Sequence, residues 1–347
     1  MKEIDIFSLA RANVRQMKPY SSARDDFQGT ASVFLDANEN PFDTTGYNRY
    51  PDPHQRRLKE AIAESNHINP DQIFLGNGSD EAIDLLFRVF CNPGIDQALI
   101  PQPTYGMYSV SATINDVEVI LPNLGPSFNL DASALLKAVT AKTKLIFLCS
   151  PNNPSGNLLS ATEIEHILHN FPGIVVIDEA YIDFSGSTSW ITRIDDFKNL
   201  AVLQTFSKAW GMAGLRLGLC FANPLIIKLL NKIKPPYNIN AFTQSETLRC
   251  LQQRQHEKNT WVEEIIKLRD ELRKSLMTVP CVRKIFPSDA NFLLVGVTDA
   301  KLIYGELVGR GIIVRDRSTV VLCDQCLRIT VGTMEENNQL LQVMRLI

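Results

Sequence analysis

The sequence lacks several features that would place the protein in a specialised class. None of its apolar runs approaches the ~20 residues that span a bilayer, and its first residues lack the apolar core of a signal peptide. An excess of one charge is also missing, because 35 basic residues balance 38 acidic ones. That balance argues against binding to nucleic acids or membrane surfaces. With 45% hydrophobic residues and no repeats, we predict an ordered, globular, cytoplasmic protein.

The cysteines are few and form no framework. There are seven, and an odd number at irregular spacing predicts reduced thiols rather than a set of disulfides. Cys323 and Cys326 form a CxxC pair, but no second pair of cysteines or histidines accompanies it, so we expect no metal site. We predict a turn there that leads into the strand Leu327–Val331.

Short apolar runs alternate with helix-like segments from about residue 54 onward. The alternation predicts βαβ units and a largely parallel sheet with helices on both faces, an α/β fold. Leu217–Ala222 is a further strand, of undetermined direction. The predicted strands are Gln72–Leu75, Ala98–Ile100, Glu118–Leu121, Leu145–Cys149, Ile174–Ile177, Leu200–Leu203 and Leu217–Ala222. The predicted helices are Gln55–Ser65, Asp80–Phe90, Ala132–Val139 and Ala161–His169.

A chain of 347 residues is too long for one core, so we expect two domains. The segment from Pro235 to Tyr237 interrupts the pattern, and a charged helix from Trp261 to about Met277 is suited to linking domains. Beyond it we predict strands at Val282–Phe286, Phe292–Val295, Ile312–Val314 and Leu327–Val331, with helices at Ala300–Arg310 and Glu335–Leu346. We therefore expect an N-terminal arm at 1–45 packed on the small domain, a large domain at 46–240 and a small α/β domain at 241–347.

The stretch from Thr205 to Gly218 holds one lysine, Lys208, among small and apolar residues. It follows an apolar run that predicts a buried strand. Burial disfavours the charged form of a lysine and lowers its pKa, which suits an amine that forms a Schiff base. The hydroxyls of Thr205 and Ser207, together with Arg216, suit a phosphate. A lone lysine after a strand is usually a surface residue, so the surrounding motif decides the interpretation.

That motif, S-K-x-x-G-x-x-G-x-R-x-G from Ser207 to Gly218, resembles the lysine segment of fold-type I aminotransferases, which use pyridoxal 5′-phosphate. Three more segments agree in order and spacing: Gly76-Asn-Gly-Ser-Asp-Glu81, Ser150-Pro-Asn-Asn-Pro-Ser-Gly156 and Asp178-Glu-Ala-Tyr181. Three others resemble the histidinol-phosphate aminotransferases in particular: Asp36-Ala-Asn-Glu-Asn-Pro41, Arg49-Tyr50-Pro51 and Cys326-Leu-Arg-Ile-Thr-Val-Gly332. The resemblance covers nearly the whole chain.

The resemblance implies the fold of the fold-type I pyridoxal-phosphate transferases. Their large domain has a mostly parallel seven-stranded sheet covered by helices, and a smaller α/β domain follows it. It also implies a homodimer in which Tyr50 reaches the cofactor phosphate of the partner subunit. The implied partners are small-molecule substrates, histidinol phosphate and glutamate or 2-oxoglutarate.

Asp178 ends an apolar strand, and ligands in such sheets bind at the carboxyl ends of strands. A carboxylate there can keep the cofactor's pyridine nitrogen protonated, although an aspartate at this position alone is more often a helix N-cap. Gly78, Ser79 and Asp80 start a helix, where backbone N–H groups and the helix dipole favour an anion.

The resemblance assigns roles to the remaining residues. Lys208, Asp178 and Tyr181 are the implied catalytic residues, with Lys208 holding the cofactor as its internal aldimine. Asn153 and Tyr181 resemble the donors to the cofactor phenolate, and Tyr105 resembles the aromatic that stacks on its ring, although a core tyrosine is the alternative. The implied cofactor-binding residues are Gly78, Ser79, Asp80, Tyr105, Asn153, Asp178, Tyr181, Thr205, Ser207, Lys208, Arg216 and Tyr50.

Two arginines concern the substrate. Arg328 alternates with Leu327 and Ile329 and so points away from their face; alone, it fits a solvated edge residue. The resemblance makes Arg315 and Arg328 binders of substrate anions, a role that the planar guanidinium suits. Tyr20 and Asn38 resemble the family's lid over the imidazole end of the substrate.

Three functions remain open on the sequence. The first is transamination between L-histidinol phosphate and 2-oxoglutarate in histidine biosynthesis. The second is another pyridoxal-phosphate enzyme on the same scaffold, an aromatic aminotransferase or an L-threonine-O-3-phosphate decarboxylase. The third, a cofactor-binding protein without catalysis, is disfavoured because every residue for the chemistry is present.

Overall fold

Two β-sheets organise the chain in the computed structural model, which describes residues 4–21, 27, 31–43 and 45–347. The strands of the larger sheet are β1 (Ile73–Asn77), β2 (Gln97–Leu99), β3 (Glu118–Ile120), β4 (Thr143–Cys149), β5 (Ile174–Asp178), β6 (Leu200–Thr205) and β7 (Leu217–Ala222). They lie in the order β1-β7-β6-β5-β4-β2-β3. All seven predicted strands are therefore present.

The larger sheet is parallel except at one strand. Strands β3, β2, β4, β5 and β6 pair in parallel, whereas β7 is antiparallel to both of its neighbours, β1 and β6. Only residues 206–216 join β6 to β7, and a parallel pair needs a longer crossover, usually with a helix. The connection thus settles the direction that the sequence left open.

Both faces of this sheet are buried, as β5 illustrates. Val175 and Ile177 belong to one buried apolar cluster, and Ile174 and Val176 belong to another. Successive residues of a strand point to opposite faces, so a strand apolar throughout must be covered on both. The described helices of this domain are Arg56–Asn66, Ser79–Phe90, Met107–Ile114, Ala132–Lys137, Ala161–Asn170, Pro224–Ile233 and Ala241–Gln253.

Three of these helices were not predicted: Met107–Ile114, Pro224–Ile233 and Ala241–Gln253. The second had a readable signal, since Asn223 caps it by accepting from the Leu225 backbone N–H, and a proline occupies its first turn. The third packs against helix Arg56–Asn66. This helix, which follows the expected boundary at residue 240, therefore contacts the large domain.

The second sheet belongs to the smaller domain. Its strands are β8 (Val282–Ile285), β9 (Phe292–Val297), β10 (Arg315–Asp316) and β11 (Cys326–Thr330), in the antiparallel order β10-β11-β9-β8. Helices Gln255–Leu276, Ala300–Gly309 and Met334–Met344 complete this domain. The long helix contributes Leu268, Leu272 and Leu276 to the small-domain core and Val262 to a cluster with Tyr181, so it links the domains as expected.

The predicted strand Ile312–Val314 is wrong, because the paired residues are the two that follow. Ile312 and Val314 pack their side chains on the small-domain core, so their apolar alternation reflects burial without strand pairing. The turn predicted at the CxxC pair is confirmed: Cys326 donates its backbone N–H to the carbonyl of Cys323 at 3.0 Å, and both thiols are free.

The N-terminal arm packs on the large domain, which corrects the expected contact with the small one. Ile6 of helix Ile6–Leu9 and Val14 of helix Ala12–Gln16 are buried in the large-domain cluster. Ala10, between the two helices where the backbone is extended, is buried in the same cluster. Residues 22–26, within the predicted arm, lie outside the described residues.

Candidate active site

One cavity gathers eleven of the predicted site residues. It lies where the carboxyl ends of β4, β5 and β6 meet the start of helix Ser79–Phe90. The predicted residues that line it are Gly78, Ser79, Asp80, Tyr105, Asn153, Asp178, Tyr181, Thr205, Ser207, Lys208 and Arg216. Cys149 and Ala180, which were not predicted, complete the lining. Strand ends converge at this edge because the strands run parallel.

Asp178 is held at the bottom of this cavity by two hydrogen bonds. The Tyr108 hydroxyl donates to its Oδ2 at 2.6 Å, and the Ala180 backbone N–H donates to its Oδ1 at 3.0 Å. Only 3% of Asp178 is exposed, and this burial raises the pKa of its carboxyl group while the bond from Tyr108 opposes the rise. A buried carboxylate of this kind strongly favours a positively charged partner.

Tyr108, which donates this hydrogen bond to Asp178, was not predicted from the sequence. It is fully buried and stacks on Phe147 with ring centroids 4.9 Å apart. It lies on the unpredicted helix Met107–Ile114, and no local pattern distinguishes it from an ordinary core tyrosine. Its partner, Asp178, is 70 positions away in the chain.

Lys208 follows β6, and its Nζ lies 5.7 Å from the centroid of the Tyr181 ring. Burial lowers the pKa of Lys208, and the positive charge of Arg328 lowers it further. A lysine in this state has more of the neutral amine that attacks a carbonyl. Tyr181 is itself buried, which raises the pKa of its hydroxyl and keeps it a hydrogen-bond donor.

The start of helix Ser79–Phe90 forms an anion cradle with Arg216. Gly78 precedes the helix with a φ of +77° and, as the N-cap residue, offers no side-chain cap to the N–H groups of the first turn. A Cβ atom at Gly78 would lie 2.7 Å from Nη2 of Arg216. Glycine therefore allows the guanidinium to approach the helix terminus, where N–H groups and the dipole attract an anion.

Two further contacts fix this cradle. Arg216 Nη2 lies 3.6 Å from Oδ2 of Asp80, and the Tyr105 hydroxyl donates to the other oxygen of Asp80 at 3.1 Å. Gly218 is packed so closely that a Cβ atom there would lie 2.0 Å from the backbone nitrogen of Ser79. Strand β7 and the start of the helix can approach each other this closely only because residue 218 is glycine.

The small domain contributes Arg328 at the edge of the site. Its Nη1 donates to Oδ1 of Asn153 at 2.5 Å, and its guanidinium carbon lies 5.3 Å from the centroid of Phe292. This confirms the orientation predicted from strand alternation. Arg315 lies directly opposite Arg328 in the pairing of β10 with β11. Arg317, which was not predicted, follows two positions later, so alternation alone could have placed it on the same face as Arg315.

Three predicted residues lie outside the cavity around Lys208. Asn38 and Tyr50 line a second cavity, where the Tyr50 ring stacks on Tyr237 at a centroid distance of 4.5 Å. Tyr20 is 72% exposed. Within one chain these residues do not join the cavity around Lys208, and their roles stay predictions.

The described residues contain no group of three or more His, Cys, Asp or Glu side chains placed to hold a metal ion. Within the same ranges, no helix combines the length and apolarity needed to cross a bilayer.

Comparison with known proteins agrees with this geometry. The sequence model of the family described as aminotransferase class I and II matches residues 7–344. The chain belongs to this family. Two curated relatives named histidinol-phosphate aminotransferase, from Parabacteroides distasonis and Cytophaga hutchinsonii, are 54% and 52% identical to it. The first alignment covers 98% of both chains, and the second covers 97% of this chain and 98% of the relative.

Solved structures of aminotransferases share the fold. The histidinol-phosphate aminotransferase of Clostridium acetobutylicum has a TM-score of 0.77 at 25% identity and covers 86% of this chain and 90% of its own. The L-threonine-O-3-phosphate decarboxylase of Porphyromonas gingivalis covers the same shares with a TM-score of 0.74 at 22% identity, a likeness of fold alone. The predicted fold class is confirmed.

Proposed function

We propose that this protein is a pyridoxal-phosphate-dependent aminotransferase that converts L-histidinol phosphate and 2-oxoglutarate into imidazole-acetol phosphate and L-glutamate, reversibly. The observation that carries the proposal is the cavity that combines Lys208, the buried Asp178 and an anion cradle, bordered by Arg328 of the small domain. Relatives of about half-identical sequence over nearly the whole chain bear the name of this activity. We assign the reaction to histidine biosynthesis and, from the sequence prediction, to the cytoplasm.

The residues present fit pyridoxal phosphate at each of its polar groups. The cradle around Gly78 and Arg216 suits the phosphate, with Ser79, Thr205 and Ser207 as hydroxyl donors. The buried carboxylate of Asp178 suits a protonated ring nitrogen. The Asn153 amide and the Tyr181 hydroxyl suit the phenolate oxygen, Tyr105 suits the ring face, and Lys208 suits the aldehyde.

The chain's own residues supply positioning and proton transfer. Bound pyridoxal phosphate supplies an electron sink for the substrate carbon that bears the amine. Lys208 Nζ would accept the proton from that substrate carbon and would hold it for return to the reacting molecule in the same site. Asp178 holds the proton at the ring nitrogen, and Tyr108 holds Asp178 in place. A positioned acid–base group of this type contributes ~10²–10⁴-fold in rate.

The two substrates carry different anionic groups at the end that the arginines would bind. Histidinol phosphate has no α-carboxylate, and its phosphate ester occupies the end where glutamate has one. Arg328 pairs with either group, because its planar fork fits both carboxylate and phosphate. Arg315, its cross-strand neighbour, adds charge mainly for the phosphate. Tyr20 and Asn38 serve as the lid over the imidazole end.

We further assign the active form to a two-fold homodimer in which Tyr50 reaches the partner subunit's cofactor phosphate. Two facts support this: half of the Tyr50 surface is exposed, and its ring lies outside the Lys208 cavity of its own chain. In an isologous dimer each site would take one Tyr50 from across the interface. Mixing Lys208→Ala with Tyr50→Ala subunits should then restore one intact site per heterodimer, and a fully active monomer would contradict the arrangement.

A substrate comparison tests the proposed reaction. The purified, cofactor-loaded protein should show its highest kcat/KM with L-histidinol phosphate and 2-oxoglutarate, compared with phenylalanine and 2-oxoglutarate. It should release no carbon dioxide from L-threonine O-3-phosphate. A preference for phenylalanine would indicate an aromatic aminotransferase, and carbon dioxide release would indicate the decarboxylase.

A second experiment tests the role of Lys208. Borohydride should fix the cofactor covalently to this residue, as mapped by peptide mass spectrometry. Lys208→Ala should lose at least ~10²-fold in kcat, the usual size of general acid–base catalysis. Lys301→Ala, which removes an exposed helical lysine, is the matched control and should keep wild-type activity. Near-normal turnover by Lys208→Ala would contradict the assignment.

A further inference from the structure

Three arginines of the small domain project from one face of the β10–β11 ribbon. Arg315 is opposite Arg328, and the Arg317 backbone N–H donates to the Cys326 carbonyl at 2.9 Å, which continues the pairing by two residues. Alternate residues of a strand share a face, so Arg317 lies on the same face as Arg315 and diagonal to Arg328.

Arg328 donates a hydrogen bond to Asn153 in the lining of the cavity that holds Lys208, and Arg317 lies on the same face of the ribbon as Arg328. Burial raises the pKa of the cavity residue Tyr181, and the charges of Arg328 and then Arg317 act against that rise. In turn, burial lowers the pKa of the Arg317 guanidinium, and the positive charges of Arg328 and Arg315 lower it further. The three guanidinium groups therefore repel one another beside the active site.

Within the described ranges, this cluster of positive charge has no carboxylate in an ion pair with it. The Nε atoms of Arg317 and Arg328 are both buried and have no hydrogen-bond partner among the described residues. The nearest acid in sequence, Asp316, uses its Oδ1 to accept from the Ser318 backbone N–H at 2.8 Å. Buried polar groups normally have partners, and two buried Nε atoms of this cluster have none, so the cluster is arranged for an anion that comes from outside the chain.

We propose that Arg317 is a third guanidinium of the substrate-phosphate subsite and favours the phosphate substrate over glutamate. A phosphate monoester carries a charge near −2 and three free oxygens, whereas a carboxylate has a charge of −1 and two oxygens. Arg328 alone can pair with both oxygens of a carboxylate. The third oxygen and the second charge of a phosphate give Arg317 a partner that the α-carboxylate of glutamate does not offer. This inference rests on the proposed function, because it assigns a residue to the same substrate.

The test uses two substitutions and a matched control. Arg317→Gln removes the charge, and Arg317→Lys keeps it. Arg283→Gln removes an exposed arginine from β8 of the same sheet. The cofactor-loaded proteins are compared in single-turnover half-reactions with L-histidinol phosphate and with L-glutamate. Calorimetry of the same proteins with inorganic phosphate measures anion affinity without turnover.

Losing one charge-assisted hydrogen bond weakens binding by about ten-fold or more. Arg317→Gln should therefore raise the histidinol phosphate concentration that gives the half-maximal single-turnover rate by at least that factor. It should weaken phosphate binding in parallel and leave the corresponding glutamate concentration within about two-fold. Arg317→Lys should lie between Arg317→Gln and wild type, and Arg283→Gln should match wild type. Without phosphate, Arg317→Gln should melt no lower than wild type, because the change relieves repulsion.

The outcomes separate this inference from the proposed function. A wild-type enzyme that does not use histidinol phosphate overturns the proposed function, and the calorimetry then reports on the anion site alone. If the wild-type enzyme uses histidinol phosphate, then an equal loss of affinity for both substrates in Arg317→Gln, or no loss, overturns the role of Arg317. An equal loss of affinity together with a lower melting temperature would show that Arg317 is structural and would also overturn that role.

Discussion

The hydrogen bond from Tyr108 to Asp178 offers a sharp test of how the site keeps a buried carboxylate ionised. Tyr108→Phe removes one hydroxyl, at 2.6 Å from Oδ2 of Asp178, and keeps the ring that stacks on Phe147. Burial raises the pKa of Asp178 and the bond from Tyr108 opposes that rise, so its loss should raise the pKa further. The carboxylate should then bind a protonated ring nitrogen less well.

The expected magnitude follows from the kind of bond removed. A hydrogen bond to a charged group contributes ~1.5–3 kcal/mol, and removing one partner leaves the other buried and unsatisfied. At ~1.4 kcal/mol per factor of ten, the affinity for pyridoxal phosphate and the kcat/KM should each fall roughly 10- to 100-fold.

The pH dependence of the stability of the cofactor-free protein has a defined sign. A carboxyl group whose pKa is raised by folding stabilises the native state at low pH, and this stabilisation is lost as pH rises through the folded pKa. Tyr108→Phe should therefore lose more stability at high pH than at low pH.

The assay titrates the cofactor-free protein with pyridoxal phosphate by absorbance and follows thermal unfolding across pH. Tyr304→Phe, a half-buried tyrosine of the small-domain helix Ala300–Gly309, is the matched control. Wild-type cofactor affinity in Tyr108→Phe, together with an unchanged pH dependence of unfolding, would refute this account of Asp178.

The remaining predictions concern packing, buried charge and the substrate arginine. Gly218→Ala should lower the free energy of unfolding by ~1–3 kcal/mol or more through overpacking and weaken cofactor binding, because its Cβ would lie 2.0 Å from Ser79. Gly305→Ala, in open space on a helix, should instead gain up to about 1 kcal/mol; chemical denaturation of both variants measures the contrast, and equal effects would contradict it. Burial raises the pKa of Glu179 from 4.5 to about 7, so the free energy of unfolding should fall as pH rises through that interval. Glu179→Gln should remove this part of the pH dependence of unfolding, and an unaltered pH dependence would contradict the prediction. Arg328→Ala should raise KM for both histidinol phosphate and glutamate by about ten-fold or more, whereas a loss for only one substrate would contradict its shared role.

Much of the fold was determined by patterns within a few residues. The strand Leu217–Ala222 was predicted with its observed bounds, since its apolar run ends at an Asn-Pro pair, which is a stop signal. Lys208, Asp178 and the Gly78 helix start were likewise found from local motifs. Each of these residues lies at a strand end or helix start, and the parallel sheet brings such ends together at one edge.

Contacts between distant segments were decided only by the tertiary structure. The direction of β7, the packing of Ile6 on the large domain and the bond from Tyr108 to Asp178 each depend on segments far apart in the chain. The N-terminal residues include apolar side chains, but these side chains do not specify which domain covers them. Arg317 similarly follows a strand pattern that indicates its face, whereas its closeness to Tyr181 depends on how the two domains meet. Local sequence determines which residues are buried and where an element begins, because these preferences act over one or two turns. The choice of partner depends on the whole fold, since only the folded chain brings the partners together.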